Sequence, residues 1–143
     1  MKMLNQVKIT FAGRSVNEGF ARAALAAFLV QLDPTVPQLA DIKTAVSEAV
    51  TNAVIHGYGS RGGVIGMDIT ADTDGSILTV CIEDQGVGIP DVKTAMEPMF
   101  TTDESGERSG MGFSFMEAFM DEVEVQSEPG KGTLVSMKKF IGR

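Results

Sequence analysis

A chain of 143 residues, 43% hydrophobic and 22% charged, has the size and composition of one folded domain that needs no disulfide or structural metal to close a core. Its 12 Lys and Arg stand against 19 Asp and Glu, a net charge of −7 that disfavours non-specific binding to nucleic acid or anionic membranes. No apolar run is long enough to cross a bilayer, and Met1 to Thr10 lacks the features of an export signal; a single cytoplasmic domain over residues 1–143 is expected.

In chain order, Val7, Ile9 and Phe11 alternate with Lys8 and Thr10, the pattern of a half-buried strand closed by the turn residues Ala12 to Arg14. Ser15 and Glu18 stand at capping-box spacing and predict a helix start there. The apolar run Phe20 to Leu32 continues that helix until Asp33-Pro34 stops it. A second helix is expected from near Pro37, with Leu39, Ile42, Val46, Ala49, Val50, Ala53 and Val54 at helical spacing and Gly57 at its end. After a Gly-rich connection, Val64 to Ala71 and Ile77 to Glu83 flank Asp72-Thr73-Asp74-Gly75 as a hairpin. The single cysteine, Cys81, sits in the apolar run Ile77 to Ile82 and is expected in the core as a small hydrophobe.

From Asp84 to Gly112 the chain turns rich in glycine, proline and acidic residues and shows little periodicity beyond a short helix over Asp91 to Met96. Loops of that length usually carry function. Met111 to Met120 reads as a third helix, with Phe113, Met116 and Met120 as a packed stripe, and Val123 to Gln126 and Thr133 to Phe140 read as strands joined through Pro129 to Gly132. This order predicts an α+β fold: a two-layer α/β sandwich with a mostly antiparallel sheet and helices on one face. Neither GxxxxGK[ST] nor a strand-linked GxGxxG occurs, so a nucleotide site would have to be built by other means.

Three clusters carry chemistry. Glu48, Asn52 and His56 stand four residues apart, which keeps them on one stripe beside the apolar face of their helix. Alone, that stripe reads better as a solvated edge, and His56 reads better as a helix C-terminal cap than as a proton shuttle. Asp84-Gln85-Gly86-Val87-Gly88 sets a carboxylate at a strand end before glycines that allow close approach. The carboxylate can accept from an exocyclic amine, or simply start a turn. Arg108-Ser109-Gly110-Met111-Gly112 opens a helix whose bare N–H groups favour phosphate, with Ser109 as an N-cap in the bland alternative.

Taken together, in this order and separation, Glu48-x-x-x-Asn52, Asp84-x-Gly86-x-Gly88 and Gly110-x-Gly112 resemble the N, G1 and G2 boxes of the GHKL ATPases, which share the Bergerat fold. Ser127 to Thr133 resembles the final hairpin of histidine-kinase catalytic domains, so the resemblance spans nearly the whole chain. Ser47 to Tyr58 and Phe100-Thr101-Thr102 are most similar to the anti-sigma branch of that family, the serine kinases of sporulating bacteria.

That resemblance implies ATP and Mg²⁺ as ligands, with Asn52 giving an oxygen to the metal and Glu48 acting as general base toward a serine hydroxyl. It implies that Asp84 holds the adenine amine, that Gly86 and Gly88 give the backbone room, and that Thr133 supports the base, with Met96 near it or in the core. Residues 97–112 would form an ATP lid in which Thr102, Ser109, Gly110, Met111 and Gly112 line the nucleotide and Arg108 approaches the terminal phosphate. Asp103 stands where the family carries a basic residue. The implied partners are a sigma factor, held in the ATP-bound state, and an anti-anti-sigma protein phosphorylated on serine. A homodimer through the first strand and helix is also implied, with Arg22 as a partner contact. Other readings of the same motifs are a general-stress anti-sigma kinase, a non-catalytic ATP-dependent binding module, and a histidine-kinase catalytic domain. A base beside the metal ligand weighs against the second, and a lone His inside the N box weighs against the third.

Overall fold

The computed structural model describes residues 3–58, 63–72, 74–89 and 112–141. Strand β1 (Met3–Ala12) leads to helix α1 (Asn17–Leu29), and a 3-10 turn over Val30–Leu32 continues it. The stop is physical: Asp33 adopts a left-handed φ of 51° and returns its N–H to the Val30 carbonyl at 3.3 Å, immediately before Pro34. Helix α2 (Val36–Asn52) runs into a π-helical turn over Ala53–Tyr58. Strands β2 (Val64–Asp72) and β3 (Ile77–Asp84) follow, then helix α3 (Gly112–Phe119), β4 (Glu122–Glu128) and β5 (Gly132–Phe140).

The sheet has five strands in the order β1-β2-β3-β5-β4, with every neighbouring pair antiparallel. Alternation along β2 and β3 turns Ile65, Met67, Ile69 and Ala71, and Leu78, Val80 and Ile82, toward the helices, where all are buried. Leu25 and Leu29 of α1, Ile42, Val46 and Val50 of α2, and Met116 of α3 close the core from the other layer. Each such side chain contributes about 1.5–3 kcal/mol by leaving water. The expected two-layer α+β sandwich is therefore observed, with Met67, Met116, Met120 and Met137 buried in its filling.

Two expectations are corrected. Ser15 makes no side-chain cap to α1, whose N-cap is Val16 and carries no capping hydrogen bond. The capping box belongs to α2 instead: Thr35 Oγ1 accepts from Gln38 N at 3.2 Å and Gln38 Oε1 accepts from Thr35 N at 2.9 Å. Cys81 is not in the core. It is half-buried on the open face of the sheet, 3.6 Å from Ser136 Oγ, because the run Ile77 to Ile82 turns alternate residues outward.

Helix α3 is pinned at its C-terminus. Lys139 Nζ, on a side chain only 14% exposed, donates to the Phe119 carbonyl at 2.6 Å and lies 3.8 Å from Asp41 Oδ2 of α2. A cation there satisfies a terminal carbonyl and complements the helix dipole, which ties α3 to β5 and α2 together.

Candidate functional site

Glu48 and Asn52 lie half-buried on one flank of α2, one turn apart, and both are engaged with neighbours. Directly after Asn52 the helix widens into the π turn, which packs on β3 and β5; such turns recur at functional sites. The π turn that follows these two oxygen-bearing side chains thus packs on the strands that carry the second cluster.

That second cluster centres on Asp84, the last residue of β3 and only 5% exposed. Its Oδ1 accepts from Gly86 N at 2.9 Å, so the Asp-initiated turn and a buried carboxylate are both realised. Burial pushes its pKa up from the usual Asp range; the N–H groups of Gly86 and Thr133 oppose that rise, and the charge of Glu83 adds to it. A carboxylate has about four acceptor positions, enough to keep these bonds and still receive a donor from a ligand.

The loop after Asp84 interlocks with the β4–β5 hairpin. Val87 O accepts from Gly130 N at 2.6 Å, and Ile89 N donates to Ser127 Oγ at 2.7 Å. Gly88 has φ 77° and Gly132 φ 88°; a Cβ at the first would stand 2.0 Å from Glu128 O, and at the second 2.0 Å from Asp84 O. Both obstacles are backbone, which cannot swing aside, so glycine is required twice over. Opposite Asp84 in the β3–β5 register stands half-buried Thr133, whose hydroxyl lies 2.8 Å from Ser127 Oγ.

The structure thus joins Asp84, Gly86, Gly88 and Thr133 around one strand end, sets Glu48 and Asn52 on the neighbouring helix, and puts Gly112 at the first residue of α3. Met96, Thr102, Asp103, Arg108, Ser109, Gly110 and Met111, with the rest of the expected lid and the side chain of His56, lie outside the described residues. Arg22 is exposed on α1 and ion-paired to Glu18 at 2.8 Å. Two contributors escaped sequence reasoning, Ser127 and Gly132. Their only local signal is membership of the stretch Ser127 to Thr133; Ile89, which Ser127 ties down, and the Asp84 backbone, which crowds Gly132, lie far off in sequence.

The chemistry of the donors suits a nucleotide with a hard cation. Among the described residues no group of three or more His, Cys, Asp and Glu could cage a metal. A cation here would rest on an oxygen such as that of Asn52 and on phosphates, the usual manner of Mg²⁺. Also among the described residues, no helix is long and apolar enough to cross a membrane.

Comparison with known proteins agrees with this geometry. The family model of the histidine kinase-like ATPase domain matches residues 13–139. An anti-sigma F factor of Thermoanaerobacter sp. (strain X514) is 54% identical over 142 residues, 99% of this chain and 98% of the relative. One from Geobacillus kaustophilus (strain HTA426) is 51% identical over 142 residues, 99% of this chain and 96% of the relative. Among solved structures, the RsbU and RsbW domains of a Mycobacterium tuberculosis protein superpose with a TM-score of 0.70 at 22% identity, covering 97% of this chain and 33% of that one. The catalytic domain of histidine kinase ThkA superposes with a TM-score of 0.54 at 16% identity, covering 94% of this chain and 96% of that one. At such identities the two structures speak to fold alone.

Proposed function

The chain belongs to the anti-sigma F factor family of histidine kinase-like ATPases, and from that premise we propose that it is an ATP-dependent protein-serine kinase that also sequesters a sporulation sigma factor. Its substrate is a serine of an anti-anti-sigma protein, and its ATP-bound form holds the sigma factor away from RNA polymerase. The observation that carries this reading is the buried carboxylate of Asp84 beside two glycines whose Cβ positions are already filled by backbone. A core position would be apolar; a buried acceptor at a strand end, next to backbone that tolerates no side chain, suits a polar ligand edge.

Each residue then has one task. Asp84 accepts from the exocyclic amine of the base, with Thr133 beside it, while Gly86 and Gly88 keep the floor of the pocket flat. Asn52 offers its side-chain oxygen to the cation. Glu48, one turn away, takes the proton from the incoming serine hydroxyl. Gly112 opens α3, where bare N–H groups favour phosphate, and Thr102, Arg108, Ser109, Gly110 and Met111 complete that wall. When bound, ATP supplies the phosphoryl group and Mg²⁺ neutralises charge on it.

The same reading includes a homodimer through β1 and α1. Supporting it, Val16, Phe20, Ala23, Ala27 and Val30 recur at spacings of four and three along α1. Val16 is 72% exposed, Phe20 57% and Val30 77%, an apolar seam with the spacing of a helix–helix contact. Arg22 lies beside that seam and is assigned to contact a partner.

Calorimetric titration with ATP, ADP and GTP, each with and without Mg²⁺, tests the site. Mg²⁺-dependent binding selective for adenine nucleotides is expected, and absence of binding would discard the kinase reading. Glu48→Gln is then expected to keep ATP affinity within about twofold and to lower phosphoryl transfer to the partner serine by about 10²-fold or more. Transfer at the parent rate would remove Glu48 from the role of base.

A further inference from the structure

The Ser127 hydroxyl has three partners, and their chemistry leaves one assignment of protons that satisfies all of them. Ser127 Oγ lies 2.7 Å from Ile89 N, 2.9 Å from Gly132 O and 2.8 Å from Thr133 Oγ1. The first can only donate and the second can only accept. A serine hydroxyl has one proton and two lone pairs. If that proton goes to Gly132 O, the lone pairs receive the Ile89 N–H and the Thr133 O–H, and every group is paired. Were Ser127 to donate to Thr133 instead, the carbonyl of Gly132 would lose its hydroxyl donor in a half-buried site, at a cost of about 1–3 kcal/mol if nothing replaced it.

The consequence falls on Thr133. With its proton committed to Ser127, its oxygen has only lone pairs left to offer a ligand. Thr133 stands opposite Asp84 across the β3–β5 register, and Asp84 carries a carboxylate that only accepts when ionised. Two neighbouring strand ends therefore present acceptors alone. At position 6 of a purine, an amine brings an N–H donor and is matched there, whereas a carbonyl oxygen meets lone pair against lone pair.

We infer that Ser127 is a specificity-determining residue that sets the Thr133 hydroxyl as an acceptor, so that the base pocket selects a 6-amino purine over a 6-oxo purine. Ser127 acts through Thr133 and through the loop that it ties down at Ile89; it is a positioning residue and does not itself read the base. The inference rests on the nucleotide reading of this site, and the experiment separates the two.

The test is calorimetric titration of the full chain with Mg-ATP and with Mg-ITP, the inosine nucleotide, which carries a carbonyl where ATP carries the amine. The parent chain is expected to prefer ATP. Ser127→Ala frees the Thr133 proton to meet a carbonyl, and is expected to narrow the ATP-to-ITP preference by about tenfold, with part of the change a gain in ITP affinity. Ser127→Thr retains a hydroxyl and is expected to keep the parent ratio. The double variant Ser127→Ala with Thr133→Val has no hydroxyl to turn and is expected to show no gain in ITP affinity.

Equal weakening of both nucleotides by Ser127→Ala, or an ITP gain that persists in the double variant, would overturn the inference while leaving ATP binding intact. Failure of the parent chain to bind ATP would instead overturn the reading on which it rests. Thermal melting checks that each variant is folded. If Ser127→Ala melts below the assay temperature, Thr133→Val alone decides: it is expected to narrow the preference through loss of ATP affinity without gain of ITP, and an unchanged ratio would sink the proposal.

Discussion

At the scale of single residues, the candidate site holds a carboxylate that the fold would be better off without. Asp84 is buried at the end of β3, and its folded-state pKa is raised from 3.8 chiefly by loss of water. For an acid shifted upward, the folded state disfavours the charged form. The penalty is absent below pH 3.8, grows between that value and the raised one, and is fully present above it. Asp84→Asn is therefore expected to raise the thermal midpoint at pH 7, with an advantage that shrinks as pH falls through that window. The same change is expected to weaken ATP by about tenfold or more, because an amide can turn a donor toward the adenine amine. Melting curves at pH 7 and near pH 4, alongside nucleotide titration, check both arms; a variant less stable than the parent at pH 7 would show that the bonds from Gly86 and Thr133 outweigh burial.

Among the elements, the loop after β3 and the β4–β5 hairpin behave as one unit, because their backbones meet at van der Waals limits in two places. Gly88→Ala would drive a methyl onto Glu128 O and Gly132→Ala onto Asp84 O, each also at a positive φ. Each substitution is expected to cost about 2 kcal/mol or more and to reduce nucleotide affinity, since Asp84 and Thr133 sit on the two halves being forced apart. Chemical denaturation measures the first effect and titration the second. Gly130→Ala serves as the contrast: its φ of 80° is equally positive but its Cβ would meet nothing within 4 Å, so a cost nearer 1 kcal/mol is expected. On the other layer, Lys139 fixes the C-terminus of α3, which in turn holds Gly112 at the opposite end of a helix only 8 residues long.

For the whole molecule, the two edges of the sheet are treated differently. The edge strand β4 exposes Glu122, Glu124 and Glu128, charges of the kind that discourage strand pairing. The opposite edge, β1, exposes Leu4 at 47% and Val7 at 38%, and along and beside α1 Val16, Phe20 and Val30 are exposed as well. Exposed apolar side chains on β1 and α1 are what the proposed self-association through these two elements would cover. Phe20→Glu is expected to shift the chain toward monomer, raising the dissociation constant about tenfold or more, with the melting midpoint of dilute protein changed little. Sedimentation velocity across a concentration series checks this; a parent chain that stays monomeric at high concentration would remove the homodimer from the proposal.

Much of this architecture was readable from local pattern. Strand and helix alternate with periods of 2 and 3.6 because burial does, and the expected elements lie within a few residues of those observed, apart from the short helix over Asp91 to Met96, which lies outside the described residues. The three clusters point to a nucleotide site only as a set, since each taken singly also describes an ordinary helix edge, turn or cap, and most of the third lies outside the described residues. Other features depended on contacts between distant segments. Ser127 meets Ile89 across 38 residues, and Gly88 and Gly132 are glycine because of backbone supplied by another strand. Ser15 was expected to cap α1, but the path of the chain entering each helix decides a cap, and the structure forms one at Thr35 before α2 instead. Cys81 looked like core because its neighbours in sequence are apolar, whereas the sheet admits helices on one face alone and turns that residue to the other. Periodicity and capping are properties of a few consecutive residues and survive in a one-dimensional reading; which strand faces which, and therefore which atoms meet, is set by register and layer packing across the whole chain.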